Sequence, residues 1–249
     1  MGSELRLERA PYPAPPSFGV LLDLRAPSDE ASLQLLAQAA TSALSELAGC
    51  TLDCAVSVVR PQGTLTAGTS SGATGLAQWD KGTGDGPVSH ALAGHLAHLP
   101  NSYSAAAQWP SYWHTLSGAG YRSLLSVPLH LHAGSKSALT LVARQDDAFT
   151  PSVVVAASAF SKLAASSYVS AAELRAAQAT VQHLQAALQG RTTIDVACGL
   201  IMGQNRCSYK AAFHILAQAS SHRNVKARVV AETMLRELPG GAPSTHFME

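Results

Sequence analysis

Three sets of side chains in this 249-residue chain have types and spacings suited to chemistry. The first is basic. Between Arg175 and Leu238 eight basic residues (Arg175, Arg191, Arg206, Lys210, Arg223, Lys226, Arg228, Arg236) stand against Asp195, Glu232 and Glu237, a net charge of +5. Met1 to Leu174 carries nine basic and twelve acidic residues, a net −3. Basic charge gathered at one end of a near-neutral chain suits a polyanionic partner, because each phosphate contact releases condensed counterions. Solvated helix faces carry the same charges without any partner, so charge alone leaves both readings open.

The second set is aromatic. Trp79, Trp109, Tyr112, Trp113, His114 and Tyr121 could line a pocket for a small planar ligand, and a hydrophobic core needs the same residue types. The third set holds the metal-binding and nucleophilic types. His130 and His132 alternate on one strand face, and His95 and His98 fall on opposite faces of an extended segment. Neither pair has a Cys or carboxylate at ligand spacing, so no metal site is expected. Cys198 and Cys207 have arginines nearby in sequence, Arg191 and Arg206, that could lower a thiol pKa. A buried, inert Cys198 is the plainer reading. Neither a GxSxG elbow nor a P-loop occurs, so no enzyme is expected and no cofactor is implied.

The basic set rides on three amphipathic helices. Leu184, Leu188, Ile194, Ala197 and Ile201 recur at helical spacing until Gly203-Gln204-Asn205 breaks the pattern. Ser208 can cap a second helix with Ala212, Phe213, Leu216 and Ala219 on its inner face. Asn224 can cap a third, with Ala227, Val230, Ala231, Met234 and Leu238 inward. Upstream, Pro151 to Gly190 reads as helix throughout. In it Phe160, Leu163, Ser167, Ser170, Leu174, Ala177, Val181, Leu184 and Leu188 alternate at spacings of three and four, a heptad seam over about four heptads. A parallel dimer through this helix and a single helix packed on its own domain both fit that seam.

Towards the N-terminus the periodicity changes. Ala31 to Leu47 is a helix, Asp53 to Arg60 and Gly63 to Thr69 a hairpin through Pro61-Gln62-Gly63, and Leu124 to His132 with Ala138 to Ala143 a second hairpin through Gly134. Phe18 to Leu24 reads as a short strand or the approach to a helix. Ser70 to Pro87 reads as a polar, glycine-rich segment, Val88 to Gly94 and Trp109 to Leu116 as short helices, and His95 to Asn101 as a strand. Strands grouped together with helices at both ends argue for α+β with an antiparallel sheet. The chain is long enough for two domains. Residues 1–16, with alternating charges and prolines and no apolar core, read as a disordered leader rather than a signal peptide, and 239–249 as a flexible tail. No run of about 18 apolar residues supports a membrane span. Four cysteines without CxxC pairing fit free thiols in a reducing cytoplasm.

Two family resemblances follow from particular residues. Arg191, Ile194, Ala197, Gly199, Met202, Ala211-Ala212-Phe213, Leu216, Ser220, Asn224, Lys226 and Arg228 resemble the pattern of ANTAR domains, small three-helix RNA-binding modules of bacterial antiterminators, over 191–238. The resemblance implies a dimer that binds paired stem-loops with hexanucleotide loops in nascent mRNA and prevents an overlapping terminator. It places the RNA loop near Arg191, Gly199 and Met202, with Lys210, Lys226 and Arg228 on phosphates. The family usually has Lys where this chain has Cys198, so one phosphate contact is either missing here or supplied by Arg206 or Lys210. Leu76 to Asp80, Gly84 to Val88, Gly120 to Leu129 and Ala148 to Thr150 resemble a GAF domain over 17–165, which implies a six-stranded antiparallel sheet and a ligand-sensing or dimerising role, with 166–190 as the connecting helix. Phe149-Thr150-Pro151-Ser152-Val153 lacks the downstream Asp-Glu pair of the cyclic-nucleotide type, so no cyclic nucleotide is expected, and an unknown small-molecule ligand stays open. A receiver domain is excluded, because Asp53 stands at the start of its strand rather than after it and Val127 stands before Pro128 where a lysine would be needed. A scaffold whose ANTAR-like bundle does not touch RNA is the alternative.

Overall fold

The computed structural model describes residues 23–131 and 135–236. The leader at 1–16, most of Phe18–Leu24, His132, Gly134, Leu238 and the tail at 239–249 lie outside the described residues. The chain divides into two compact units, Met1–Arg175 and Ala176–Glu249.

The first unit is α+β. Helix α1 (Asp29–Ala48) starts where the Ser28 hydroxyl accepts the Ala31 N–H and ends at Gly49, whose φ of 68° suits a residue without Cβ. Strands β1 (Leu52–Arg60) and β2 (Gly63–Gly68) pair through a two-residue turn, with Arg60 opposite Gly63. Helices α2 (Ser71–Thr83) and α3 (Pro87–Leu92), edge strand β3 (Ala97–Leu99), helices α4 (Ser102–Gln108) and α5 (Pro110–Gly118), then strands β4 (Ser123–Leu129) and β5 (Ser137–Ala143) follow. The described strands form one five-stranded antiparallel sheet in the order β2-β1-β5-β4-β3.

Strand alternation divides the core in two. Cys54, Val56 and Val58 of β1, with Leu139 and Leu141 of β5, pack against Leu33, Leu36, Ala40 and Leu44 of α1. The same face takes Val153, Ala157, Phe160, Ala164 and Tyr168 of α6 (Pro151–Asn205). Ala55, Leu124, Ala138 and Val142 point the other way, into a cluster with Leu76 and Ala77 of α2, Val88 of α3 and Tyr112 and Leu116 of α5. Helix α6 is long and apolar enough to pass for a membrane span by composition. Its buried apolar residues from Val153 to Ala171 belong to this unit's core.

Two segments differ from the sequence expectation. Ser70–Pro87 contains a 13-residue helix, capped by the Ser70 hydroxyl on Ala73 N–H and closed by Gly84. Buried Ala73, Leu76, Ala77 and Asp80 at i, i+3, i+4 and i+7 outweigh the helix-weakening glycines between them. The strand expected over His95–Asn101 is confined to the three residues of β3.

In the second unit the expected connecting helix and first bundle helix are one element, the 55-residue α6, which ends as Arg206 turns to φ 50°. Helices α7 (Tyr209–Arg223) and α8 (Ala227–Arg236) complete the bundle. The Ser208 hydroxyl accepts the Ala211 N–H and opens α7 as expected. Asn224 adopts φ 52° and donates its N–H to the Ser220 and Ser221 carbonyls, so it closes α7 instead of opening α8. The bundle core is small: Ala197, Cys198, Ile201, Ala212, Leu216, Val230 and Ala231. Phe213, expected on the inner face of its helix, is exposed.

Candidate nucleic-acid interface

Two of the basic residues, Arg191 and Arg228, come together around one groove. Gly190, Arg191, Ile194 and Asp195 of α6, Tyr209 and Phe213 of α7 and Arg228 of α8 line an open cavity of about 570 Å³. Gly190 makes it possible. A Cβ there would stand 3.1 Å from Arg228 Cδ, so the arginine stem crosses α6 where the helix has no side chain. A mid-helix glycine costs about 1 kcal/mol relative to alanine, and here the close approach of Arg228 accounts for it. Arg228 Nε is 2.6 Å from Glu232 Oε1 one turn along α8, an i,i+4 pair that orients the guanidinium. Arg191 is almost fully exposed and only loosely paired, its Nε 3.9 Å from Asp195 Oδ2.

The groove also holds two aromatic rings. Tyr209 and Phe213 lie one turn apart on α7 with centroids 6.4 Å apart and ring planes 21° from parallel. They are 46% and 44% exposed, a costly placement for aromatic side chains in a bundle with so little core. Tyr209 Oη donates to Asp195 Oδ1 at 2.6 Å, which ties α7 to α6 and raises the phenol pKa. Sequence reasoning singled out neither Tyr209 nor the exposure of Phe213. The available signal was an i,i+4 aromatic pair beside Lys210 at the start of a helix.

The remaining expected RNA contacts are dispersed. Arg206, Lys210 and Lys226 are exposed. Gly199 is exposed, and a Cβ on it would meet nothing within 4 Å. Met202 is half-buried against the bundle core. Cys198, where a lysine is usual, is fully buried beneath the same helices, and burial raises its thiol pKa, with Asp195 adding to the shift. Cys207 is half-buried between α6 and α7.

In the first unit, Trp109, Tyr112 and Tyr121 are buried in the cluster behind the sheet, with Trp79 and Trp113 partly buried against it. His114 is exposed. Trp79 and Tyr112 have ring centroids 5.8 Å apart. Tyr121 Oη donates to Asp53 Oδ2 at 2.6 Å and lies 3.1 Å from Ser70 Oγ, while Tyr112 Oη is buried with no hydrogen-bond partner among the described residues. These aromatics serve as core, whatever else they do. Cys54 is fully buried, and Cys50 is partly so.

A compact, basic three-helix bundle with exposed arginines and aromatics has the make-up of a nucleic-acid-binding module. Residues 182–235 match the model of the ANTAR domain, an RNA-binding module of antitermination regulators. The match begins inside α6, upstream of the groove. No curated protein matches the chain. Among solved structures, the N-acylhomoserine lactone-dependent LuxR family transcription factor CepR2 from Burkholderia cenocepacia is similar at 23% identity and a TM-score of 0.42, covering 59% of this chain and 88% of its own.

Proposed function

We propose that this chain is a transcription antitermination regulator and not an enzyme. A GAF-like sensor domain at 17–165 would receive a small-molecule signal, and an ANTAR domain at 191–238 would act in the cytoplasm as a dimer on paired hexaloop stem-loops of nascent mRNA. The observation that carries the RNA reading is the convergence of Arg191 and Arg228 on one groove of the ANTAR bundle. Unpaired loop bases suit such a surface because they can be splayed out and contacted, while the arginines hold flanking phosphates. Arg206, Lys210 and Lys226 extend the basic surface, and Gly199 leaves α6 open to close approach. Met202 adds little to the contact in this reading.

The test is a salt titration. Binding of the full chain to hexaloop stem-loop RNA should weaken steeply with salt, and Lys226→Ala with Arg228→Ala should flatten the slope by about two contacts. Gly199→Leu should lower affinity with an unchanged slope and no loss of folding. Wild-type protein that binds no such RNA would leave the scaffold reading in place.

Dimerisation is supported by α6 itself. Every residue from Ala176 to Leu188 is exposed, and Ala177, Val181, Leu184 and Leu188 keep the heptad seam on this bare stretch. An unsupported helical stretch of this length is marginal in water, and pairing two copies along the seam would bury its apolar stripe. Leu174→Asp with Leu184→Asp should give a monomer in light scattering. The sensor reading predicts no heat on titration with cyclic GMP or cyclic AMP.

A further inference from the structure

We infer that Tyr209 and Phe213 form a stacking platform for one unpaired RNA base, with Asp195 as the positioning residue that holds the Tyr209 ring; the inference rests on the RNA-binding reading of the same groove. Three observations lead to it. First, the two rings are exposed and only 21° from parallel, so a planar base lying on one is nearly parallel to the other. Second, Asp195 holds Tyr209 through a 2.6 Å hydrogen bond, fixing a side chain that would otherwise rotate freely in solvent. A ring fixed before binding loses less rotamer entropy when a base lands on it. Third, Asp195 shares the groove with Arg191 and Arg228. A phosphate seated deep in the groove would meet this carboxylate as a like charge, whereas a neutral base would not. The charges therefore sort the contacts: arginines take the flanking phosphates, and the aromatic pair takes a base between them.

Stacking differs from phosphate contact in what salt does to it. Base–aromatic stacking releases no counterions and tolerates any base, because every base has a π-face. The platform should therefore contribute affinity without contributing to the salt slope.

The experiment uses the full chain and a synthetic hexaloop stem-loop RNA carrying 2-aminopurine at one loop position at a time. The fluorescence of 2-aminopurine falls when the base is stacked. Wild type should quench one loop position more than the others. Tyr209→Ala should abolish that quench and weaken binding by about five- to 150-fold at an unchanged salt slope. Tyr209→Phe keeps the ring and loses only the bond to Asp195, so it should keep the quench and most of the affinity. Tyr209→Leu keeps apolar cover without a plane, so it should behave as Tyr209→Ala and guards against a folding artefact in either one. Wild-type affinity in both Tyr209→Ala and Tyr209→Leu, with the steep slope intact, overturns the platform and leaves the RNA reading standing. A flattened slope in those variants also overturns it, since Tyr209 would then act through the arginines. Absence of salt-dependent RNA binding by wild type overturns both.

Discussion

The two units dispose of their aromatic residues in opposite ways. In the first, Tyr112, Tyr121, Tyr168, Phe149 and Phe160 are among the largest fully buried side chains of the protein. In the second, the described aromatics, Tyr209 and Phe213, are left in solvent while the core is made of Ala, Cys, Ile, Leu and Val. Burying an aromatic side chain is among the largest stabilising contributions a small core can draw on. A bundle that places its rings outside forgoes that stability, and it places them in a groove with two arginines. Aromatic side chains are therefore mostly core in the first unit, where Tyr103 is exposed, and surface in the second, and burial separates the two where composition does not.

The largest expected effect breaks the comparison at the bundle core. Leu216→Ala should destabilise the second unit by about 2–5 kcal/mol, since the cavity has few neighbours able to fill it. All three tryptophans, Trp79, Trp109 and Trp113, belong to the first unit. Helical circular dichroism should then lose amplitude at low denaturant while the tryptophan transition stays in place. A joint shift of both signals would make the two units one cooperative block.

Asp80 tests the other core. Its carboxylate accepts the N–H of Val88 at 2.7 Å and of Ser89 at 3.2 Å and the Ser89 hydroxyl, tying α3 to α2. Burial raises its pKa, with the donors from Ser89 and Val88 opposing the shift. Gly86 has no Cβ because one would collide with that carboxylate. Asp80→Ala leaves buried donors unpaired and should cost about 1–3 kcal/mol, read from the tryptophan transition.

A smaller effect concerns Asp29, which Arg60 reaches at 2.5 Å and Arg175 also contacts, while Arg175 Nη1 donates to Ser32 Oγ at 2.7 Å. Burial would raise the Asp29 pKa, but the two arginines outweigh it and the net shift is downward. A depressed folded pKa means this stability is present above the unfolded value of about 3.9 and is lost as pH falls below it. Arg175→Gln should cost about 1 kcal/mol at neutral pH, a modest figure because the carboxylate is a third exposed. The gap to wild type should close as the pH drops through the carboxylate range; a gap independent of pH would assign the loss to packing instead.

The smallest effect sharpens the comparison most. Tyr209→Ala should change bundle stability by no more than about 1 kcal/mol, because the one bond it gives the fold, to Asp195, lies in solvent. A loss of several kcal/mol in thermal unfolding would return Tyr209 to the fold.

Much of the architecture was legible where periodicity and capping agree. The strand pattern over Asp53 to Arg60 marked β1, and Ser208 marked a helix start that the structure keeps. Helix α2 was hidden because Gly72, Gly75 and Gly82 lower helix propensity, and its apolar face showed only once Leu76 and Ala77 had a sheet to pack on. Asn224 suits either helix boundary by type, and the left-handed backbone decided for the end of α7. The arginines of the groove were legible as charge. Their convergence was not, since it depends on Gly190 letting a side chain from α8 cross α6. Phe213 was misplaced because it adjoins buried Ala212, and one step along a helix turns a side chain by about 100°.

The placement of the four cysteines has a practical consequence for spectroscopy. Cys54 and Cys198 are fully buried, and burial holds both thiols protonated, so thiol-specific reagents should pass them over. Cys50 and Cys207 are the partly accessible pair, and they fall one in each compact unit. The natural sequence therefore already carries one attachment point per unit for a donor and an acceptor dye. Cys50 will react the more slowly, because partial burial raises its pKa as well. Any change in distance between the units can thus be followed by energy transfer, with no cysteine engineered in or out.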